Sequence, residues 1–555
     1  MKPESAKTAV ARAIPIAVPI CAMLCVFLFI VSRGHVVINR YTDATWHMAV
    51  ADEFACTGAF GKYPFIPDAP AFAQFGLWDF LNGLTQRVME LQPERVFVVS
   101  NGLTAALFLL ASYLAGVLAT RRATCGVLSL VTISATLAMG ETTIVRAGWP
   151  FALATCLVFL LLASLRLFLE QASLFLSNRR GSVIRYPVAL CINACAIGVL
   201  TGVIFSLHAF VGLFGALAVI LILLPYVALW HRSFGRVIVL AALMTISFLA
   251  VSSPWLVMHI SLRGVLAERN YHHYSASPPE FGTINTLALC VLAGMLVHIR
   301  RINGSCMQRL TYILSVTALI STFLAFPAVN RFVAQFTSAF MAERVLSFFP
   351  SGLLIASVPA YVAAIGLRSI ARRLVSCGVV LAFALVIAPL SFREAKNCFY
   401  MWRTEDYDSH EYGDLLRMRH LGLEKQTILS DPFTSYFSRR FLKTYAVTVP
   451  PGHASPSIDY STRDAIWKNA LQEPREATQS IPFDYVLFNK RPRAAGGALD
   501  SSMIQHAVSN WSALAFLVFE NDAFALFRVA QGGVHRDLTQ DGEAAVPTMP
   551  LTPTK

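Results

Sequence analysis

The sequence predicts a polytopic α-helical membrane protein with a C-terminal α/β domain. Of its 555 residues, 56% are hydrophobic and only 14% are charged, and the mean hydropathy is +0.58. Soluble domains do not have this composition. Apolar runs long enough to cross a bilayer recur between residues 13 and 391. From residue 392 onward charged residues recur every few positions, which indicates a domain outside the membrane.

The first apolar run, residues 13–32, has spanning length, and no convincing small-residue cleavage site follows it. We therefore predict a retained signal anchor. Further apolar runs lie near 96–119, 124–141, 149–169, 187–207, 209–230, 237–259, 283–299, 310–327, 345–366 and 374–391. The sequence thus predicts about eleven transmembrane helices, of which 283–299 and 310–327 are the shortest.

Lys and Arg residues indicate the orientation, because short cytoplasmic loops are enriched in them. Lys2, Lys7 and Arg12 place the N-terminus in the cytoplasm. The alternation of eleven spans then puts the later basic clusters on the same side: Arg121/Arg122, Arg179/Arg180/Arg185, Arg232/Arg236, Arg300/Arg301/Arg309 and Arg368/Arg372/Arg373. This bias accounts for most of the net charge of +13, so nucleic-acid binding is not predicted. The predicted location is a bacterial inner membrane, with the C-terminal domain periplasmic.

The chain divides into a transmembrane domain (1–391), a periplasmic α/β domain (392–530) and a tail (531–555) whose composition is typical of disorder. In the α/β domain, strands are predicted at 427–430, 445–449 and 485–489, a helix at 461–472 and a hairpin over 515–529. Asp431 is expected to cap a helix.

The first predicted outer loop, residues 33–95, contains two helix-patterned pieces, about 43–58 and 76–92, separated by prolines. In the first piece, apolar Trp46 and Phe54 oppose polar Asp43 and His47. A helix with this pattern is expected to lie on the membrane surface.

An acidic residue, Asp43, stands where the first span meets water. The chain there reads Asp43-x3-His47-x3-Ala51-x-Glu53-x4-Gly58, and it continues with Tyr63-Pro64, Val99-x-Asn101-Gly102 and Arg121-Arg122. These motifs resemble the first outer loop, and its continuation, of GT-C membrane glycosyltransferases that use polyprenyl-phosphate sugars, such as protein mannosyltransferases and aminoarabinose transferases. The resemblance covers most of 13–390 in layout, but only short motifs in sequence.

The resemblance implies a GT-C-like fold and transfer of a sugar, with inversion, from a polyprenyl-phosphate donor to an envelope glycan, lipid or protein. Asp43 would take the proton of the acceptor hydroxyl. His47, one helical turn on, would orient Asp43 or bind the acceptor, or it is only a polar anchor at the interface. Asp52 and Glu53 are alternative bases.

Several further residues fall in the predicted outer loops. Arg344, followed by an apolar run and Pro350, resembles the late-span pattern of the family and is the first candidate for the lipid phosphate, since Arg suits that group. Glu141 fits the acidic residue of the family's second outer loop. Weaker candidates are Arg146, Arg331 and Arg263 for the phosphate, and Tyr271, His272 and His273 for the sugar or acceptor. Each of these residues has the alternative of being an ordinary loop residue. His208, between two spans, has no assigned role.

No Cys/His metal spacing occurs, so no metal site is predicted, although a divalent metal is compatible with the family. Pairing of Cys56 with Cys398 is left open. Three rival functions remain: a transporter or flippase of lipid-linked sugars, a polysaccharide polymerase or ligase, and a scaffold for the C-terminal domain. A transporter is expected to carry ionisable residues inside its spans, whereas here the centres of most spans lack charge.

Overall fold

The structure is a computed structural model. It describes residues 3–40, 42–67, 69, 75–136, 150–177, 185–229, 234–261, 279, 281–301, 305–336, 343–366, 369–403, 414–449, 458–490 and 501–529. At some helix ends, only the backbone is described. The statements below concern these residues.

Helices dominate the first 403 residues. In chain order they are α1 (Pro3–Arg40), α2 (Thr42–Thr57), α3 (Leu77–Met89), α4 (Pro93–Thr120), α5 (Ala123–Thr136), α6 (Pro150–Ser177), α7 (Arg185–Leu207), α8 (Ala209–Leu229), α9 (Phe234–Ser261), α10 (Thr283–Val297), α11 (Ser305–Ala325), α12 (Pro327–Phe336), α13 (Ser351–Ala364) and α14 (Ser369–Arg403). A 3₁₀ helix, Glu343–Phe348, precedes α13.

The described part of the chain contains eight helices long and apolar enough to cross a membrane, and three shorter apolar ones at Ala123–Ala135, Thr283–Val297 and Arg373–Val386. Each of the eleven predicted apolar runs coincides with one of these segments. The multi-pass helical membrane protein is therefore confirmed, while the number of spans stays a prediction.

The bundle is built around α4, which packs against α1, α5 and α6, while α9 packs on α7 and α13 on α5. Close approach needs small residues at the crossings. At Gly198 in α7 an added Cβ would lie 2.2 Å from the carbonyl oxygen of Met244 in α9, so only glycine fits there. We call the end of the bundle at which α6 begins and α7 ends the site face.

At the opposite end, Arg166 of α6 is only 1% exposed. Its guanidinium donates to Glu170 at 2.7 Å and to the carbonyl of Leu118 at 2.5 Å, and Arg121 donates to the other oxygen of Glu170 at 2.6 Å. The pair joins α4 to α6. A buried charge is tolerated when it is paired and hydrogen-bonded in this way.

The two short helices α2 and α3 lie at the site face, and their environments differ from the prediction for this loop. The apolar residues of α2, including Trp46 (2% exposed) and Val50 (1% exposed), are buried against the C-terminal domain, so protein and not lipid covers the apolar face of α2. Instead α3 exposes the apolar row Leu81, Leu84 and Val88. Because this row has no protein cover, α3 is the helix suited to the membrane interface.

The C-terminal region is an α/β domain, as predicted. Its elements are β1 (Thr427–Leu429), α15 (Pro432–Leu442), β2 (Tyr445–Ala446), α16 (Tyr460–Gln472), α17 (Pro474–Ser480), β3 (Tyr485–Asn489), α18 (Ser501–Ser512), β4 (Phe516–Glu520) and β5 (Phe524–Arg528). The sheet order is β2-β1-β3-β5-β4, with β1 parallel to β2 and β3, and β5 antiparallel to β3 and β4.

Two sequence predictions about this domain can be compared with the structure. Asp431 caps α15, because its Oδ1 accepts from the backbone N–H groups of Phe433 and Thr434, both at 3.0 Å, which confirms the capping role. The boundary predicted at 391/392 falls within α14, which continues to Arg403. Residues 392–403 are more polar but contain no glycine or proline to end the helix. The tail 531–555 lies outside the described residues.

Candidate active site

The helices α2 and α3 lie side by side and run in the same direction. His47 contacts Asp79 near the start of the pair, and Gly83 meets Ala51 one turn later. A Cβ at Gly83 would lie 2.5 Å from the carbonyl oxygen of Ala51, so glycine sets the separation of the two helices. Their polar faces therefore meet with little room for rearrangement.

The central contact of this region is an ion-pair-like bond between His47 and Asp79. His47 Nδ1 lies 2.7 Å from Asp79 Oδ1, and the other carboxylate oxygen of Asp79 accepts from the backbone N–H of Gly76 at 3.2 Å. The Asp79 side chain is 2% exposed and that of His47 is 19% exposed. The carboxylate is thus held in the protein while the imidazole reaches the edge of the site.

Neighbouring aromatic residues fix this pair on the bundle. The Trp78 ring meets the His47 ring edge-on at 5.3 Å, and its indole N–H donates to Thr104 Oγ1 of α4 at 3.1 Å. Gly76, just before α3, approaches the end of α7: an added Cβ would lie 3.0 Å from the carbonyl oxygen of Leu207. The start of α3 is therefore wedged between α4 and α7.

His208 occupies the junction between the spans α7 and α8. The chain reverses tightly here, since a Cβ at Gly212 would lie 2.2 Å from Phe205 Cα. His208 Nδ1 is buried and has no hydrogen-bond partner among the described residues. Burial, the positive charge of Arg344 and the neighbouring His259 and His47 lower the pKa of His208 to about 3. His208 is therefore neutral at physiological pH.

Arg344, in the 3₁₀ helix before α13, belongs to the same neighbourhood. Its Cζ lies 4.8 Å from the centroid of the Phe151 ring, and His208 approaches the same ring edge-on at 5.2 Å. The segment is anchored by Phe348, which is fully buried and stacks on Phe214 at 4.3 Å. The structure thus brings together His47, His208 and Arg344 at the site face.

The far end of α2 carries a second charge cluster. Arg439 of α15 donates to Glu53 Oε2 at 2.6 Å and lies 4.0 Å from Asp52 Oδ2, while Lys62 Nζ is 3.3 Å from Glu53 Oε1. Glu53 and Arg439 are both buried. The two acidic residues that the sequence offered as alternative bases are thus engaged by basic groups, one of which comes from the C-terminal domain.

Further contacts hold the C-terminal domain on the first loop. Trp46 stacks on Phe65 at 5.4 Å, and Tyr436 of α15 meets Phe65 edge-on at 5.3 Å. The backbone N–H of Ala446 in β2 donates to the carbonyl of Phe65 at 2.7 Å, so the loop is hydrogen-bonded to the sheet at its β2 edge. The domain is therefore fixed to the same helix that carries Asp43 and His47.

No protein-family model matches the chain, and no curated protein matches it. Solved structures do resemble it. The Archaeoglobus fulgidus oligosaccharyltransferase in the apo form is 10% identical with a TM-score of 0.49, over 85% of this chain and 69% of that one. ArnT from Cupriavidus metallidurans bound to undecaprenyl phosphate is 12% identical with a TM-score of 0.47, over 93% and 98%.

A third similar structure is the archaeal oligosaccharyltransferase AglB from Archaeoglobus fulgidus in complex with an inhibitory peptide and a dolichol-phosphate. It is 13% identical with a TM-score of 0.41, over 84% of this chain and 69% of that one. Sequence identity is low in all three cases. The function of this chain is therefore inferred from its own side chains.

Many of the residues predicted from the sequence fall outside the described residues or side chains. Asp43 lies in the first turn of α2, but its side chain is not among those described. The others in this group are Glu141, Arg146, Arg263, Tyr271, His272, His273 and Cys398. Arg331 is described: it is exposed on α12, a helix that packs against α11. Cys56 is exposed and unpaired. Within the described residues, no three His, Cys, Asp or Glu side chains converge to hold a metal.

Sequence reasoning missed Asp79 and Arg439. Asp79 belongs to the predicted amphipathic piece 76–92, yet its partner His47 is 32 residues away, and no local pattern connects the two. Arg439 is 386 residues from Glu53. The available signal was the polar row Asp79, Asn82 and Gln86 on one face of α3. In the structure this polar row is buried and the apolar row on the other face is exposed.

Proposed function

We propose that this protein is a GT-C-like glycosyltransferase that moves a sugar from a polyprenyl phosphate to a cell-envelope acceptor. One observation carries the proposal. At the site face, beside the helix that carries Asp43, an Asp79-held imidazole, a neutral histidine and an arginine occupy one neighbourhood, and these groups suit proton transfer and phosphate binding at a membrane surface.

In the proposed reaction the acceptor hydroxyl oxygen forms a bond to the anomeric carbon, and the bond from that carbon to the phosphate oxygen breaks. The hydroxyl proton goes to Asp43, and the polyprenyl phosphate leaves with the bonding electron pair. Attack opposite the leaving group inverts the anomeric configuration. Arg344, half-buried beside Phe151, stabilises the phosphate charge by charge-assisted hydrogen bonds.

The base is proposed to be Asp43 rather than Asp52 or Glu53. Arg439 and Lys62 surround Glu53, and Arg439 also approaches Asp52. These cations occupy the carboxylates of Glu53 and Asp52, which are therefore less accessible to an acceptor hydroxyl. Asp43 lies one helical turn before His47, at the opposite end of α2 from this charge cluster.

The remaining candidates are assigned as the family resemblance implies. Glu141 supports Asp43 or binds a metal. Arg146 and Arg263 approach the lipid phosphate from the loops and Arg331 approaches it from α12, while Tyr271, His272 and His273 contact the sugar or acceptor. We place the site face in the periplasm of a bacterial inner membrane, with the N-terminus in the cytoplasm, because Lys and Arg residues concentrate in the opposite loops.

The transporter alternative requires ionisable groups along a path through the bundle. Among the described residues, the clearest such group within a span is the buried pair Arg166 and Glu170. These two residues hydrogen-bond to each other, to Arg121 and to a backbone carbonyl, and they lie at the end opposite the site face. This arrangement fits a structural clamp better than a substrate path.

The proposal is tested by mass spectrometry of polyprenyl-phosphate lipids from cells lacking the gene. We expect one polyprenyl-phosphoryl sugar to accumulate in the deletion strain and in cells that express Asp43→Asn at matched membrane levels. The native protein should clear that lipid. The matched control is Asp464→Asn, which makes the same chemical change on α16, in a surface pair with Lys468.

Clearance by Asp43→Asn equal to that by the native protein would refute the assignment of the base. Absence of any accumulating lipid in the deletion strain would refute sugar transfer and favour the transporter or scaffold. Accumulation of a lipid-linked oligosaccharide instead of a single sugar would favour the polymerase or ligase.

A further inference from the structure

We propose that the indole N–H of Trp255, near the end of α9 at the site face, is a binding group for a sugar ring. The inference rests on the proposed function and deepens it by placing the sugar. It starts from two buried nitrogen atoms, Trp255 Nε1 and His208 Nδ1, which have no hydrogen-bond partner among the described residues. A buried polar atom without a partner costs free energy, so each of these atoms requires an explanation.

Trp255 is not an ordinary interfacial anchor. Tryptophan is common near the ends of membrane spans, where its ring lies at the level of the lipid headgroups. The exposed side of α9 carries Val257 and Ile260, which are 66% and 62% exposed, whereas Trp255 is only 6% exposed. Its indole therefore lies inside the protein, where lipid does not reach it.

Aromatic rings of the first loop and α3 pack against the Trp255 indole. The centroids of the Phe60 and Phe80 rings lie 5.6 and 6.2 Å from that of Trp255. Phe60 stands on a short turn between Gly58 and Gly61, which both have positive φ, and it is 36% exposed. A partly exposed ring thus covers a buried N–H group, and Phe60 is the cover that an entering ligand displaces.

Two histidines adjoin the same region. His259 lies one helical turn after Trp255, on the same side of α9. Its ring meets the Phe205 ring of α7 edge-on at 5.6 Å, and His208 follows Phe205 directly after the end of α7. Burial, Arg344 and the nearby His259 lower the pKa of His208 to about 3, so His208 is neutral. Trp255 and the two histidines therefore belong to one neighbourhood.

These groups fit a sugar ring better than they fit a phosphate or a polyprenyl chain. An indole N–H only donates, whereas Nδ1 of a neutral histidine donates or accepts according to its tautomer. A hydroxyl group matches both nitrogens, because it donates and accepts. A sugar ring also has a C–H face that packs on an aromatic ring such as that of Phe60. A phosphate has no apolar face, and a polyprenyl chain has no acceptor oxygen.

The position of the pocket favours the sugar of the donor over that of the acceptor. The Phe151 ring contacts both His208, at 5.2 Å, and Arg344, at 4.8 Å. Arg344 is the residue proposed for the lipid phosphate. In a polyprenyl-phosphoryl sugar the phosphate is bonded directly to the anomeric carbon, so the sugar and the phosphate must bind to adjoining groups.

The test is thermal stabilisation of the purified full-length protein in lipid nanodiscs, since a ligand that binds the folded state raises the melting temperature. The probes are synthetic undecaprenyl-phosphoryl hexoses and pentoses, with undecaprenyl phosphate as the sugar-free reference. The variants are Trp255→Phe, which keeps an aromatic ring but removes the N–H, and Phe60→Leu. The matched control is Trp467→Phe, the same change in the core of the C-terminal domain.

We expect at least one sugar-bearing lipid to stabilise the native protein more than undecaprenyl phosphate does. Trp255→Phe should raise the Kd of that lipid about three- to tenfold, the effect of losing one hydrogen bond. Phe60→Leu should raise it as well, because the ring that packs on the sugar is lost. The Kd of undecaprenyl phosphate should stay unchanged in both variants, and Trp467→Phe should change neither Kd.

A parallel assay separates the two sources of the sugar. It measures transfer at a saturating concentration of the sugar-bearing lipid, with the envelope fraction of the deletion strain as acceptor. If Trp255→Phe leaves the Kd of the lipid unchanged but raises the KM for the acceptor by a similar factor, Trp255 binds the sugar of the acceptor. A native protein that binds sugar-bearing lipids but transfers no sugar would contradict the proposed function and support the sugar site.

The inference is overturned if a folded Trp255→Phe protein changes neither the sugar-dependent stabilisation nor the acceptor KM. The indole N–H would then only contact the face of a neighbouring phenylalanine ring. An equally weakened binding of undecaprenyl phosphate would also overturn it, because the pocket would then hold the phosphate or the chain. If Trp255→Phe fails to fold, Phe60→Leu, at a partly exposed position, decides by the same criteria.

Discussion

The two ends of helix α2 carry two polar pairs that differ in exposure. At the site end, His47 meets Asp79, and the imidazole remains 19% exposed. At the docking end, Glu53 meets Arg439, and both side chains are nearly inaccessible, at 3% and 6%. The first pair leaves a ring that a ligand can reach, whereas the second joins two parts of the chain. Exposure, more than charge, therefore separates a candidate catalytic pair from a structural one.

The largest expected effect is the loss of activity in Asp43→Asn, compared with Glu53→Gln. Removing a general base typically costs about 10²–10⁴ in rate. We expect such a loss for Asp43→Asn with an unchanged melting temperature, measured as transfer rate and as thermal unfolding in detergent. If a folded Glu53→Gln protein loses more transfer rate than Asp43→Asn, then Glu53 and not Asp43 is the base.

The second effect concerns the docking end. Replacing Glu53 by Gln removes the close counter-charge of the buried Arg439 and leaves only the carboxylate of Asp52, 4.0 Å away, which costs about 3 kcal/mol. We expect lower thermal stability and faster proteolysis between the bundle and the C-terminal domain, measured by limited proteolysis. The reciprocal change, Arg439→Gln, should have a similar effect, and the double variant should recover part of the stability. If both single variants are as stable as the native protein, the pair does not hold the domain.

The third prediction concerns how the stability of the protein depends on pH, because His208 lies beside the site end of α2. Its folded-state pKa is about 3, against an ordinary value of 6.5. Below pH 6.5 the unfolded chain therefore binds a proton at His208, whereas the folded protein does not. The contribution of His208 to the free energy of unfolding is thus fully present above pH 6.5. It falls as the pH drops toward about 3.

At pH 5 this linkage amounts to about 2 kcal/mol. We expect the native protein to lose more thermal stability between pH 7 and pH 5 than His208→Asn does, when melting is followed at both pH values. His506→Asn, at an exposed histidine of α18, is the matched control and should behave like the native protein. Equal losses in the native protein and His208→Asn would contradict the lowered pKa.

A smaller effect is expected for Gly83→Ala, which acts between the two ends of α2. The added methyl would approach the Ala51 carbonyl within 2.5 Å and force α2 and α3 apart. Overpacking of this kind costs about 1–3 kcal/mol. We expect the rate of transfer to fall, because Asp79 moves away from His47, while limited proteolysis should show that the docking end stays intact. Gly378→Ala, where nothing lies within 4 Å, is the control.

The smallest effect belongs to Arg440→Gln. Its pair with Glu94 is longer, at 3.4 Å, and the Glu94 side chain is 35% exposed. Such pairs contribute about 1 kcal/mol or less. We expect a barely measurable change in melting temperature, next to the clear effect of Arg439→Gln. If Arg440→Gln lowers the melting temperature as much as Arg439→Gln does, the exposure of an ion pair does not predict its contribution to stability.

The helices and the sheet were largely predictable because their signals are local. The apolar runs and the hairpin around Glu520-Asn-Asp522 are read from neighbouring residues, and the capping of α15 by Asp431 follows from its sequence. The site was less predictable. His47 and Arg344 were identified from motifs, but Asp79 and Arg439 act through distant partners.

The position of α2 was mispredicted for the same physical reason. Its apolar residues Trp46, Val50 and Phe54 indicate a helix that buries one face, but the sequence does not say whether lipid or protein covers that face. A protein surface that lies nearly 400 residues further along the chain covers it. A pattern of polarity identifies a buried face, and only the tertiary structure identifies what lies against it.

The bond from Ala446 to the Phe65 carbonyl has a consequence for biosynthesis. The loop around Phe65 is synthesised before most of the bundle, whereas β2, which donates this hydrogen bond, is synthesised only after the whole bundle. Until then, the aromatic residues of the loop and the charge of Glu53 have no counterpart. A chain that ends before β2 therefore lacks the protein surface that covers the apolar residues of α2.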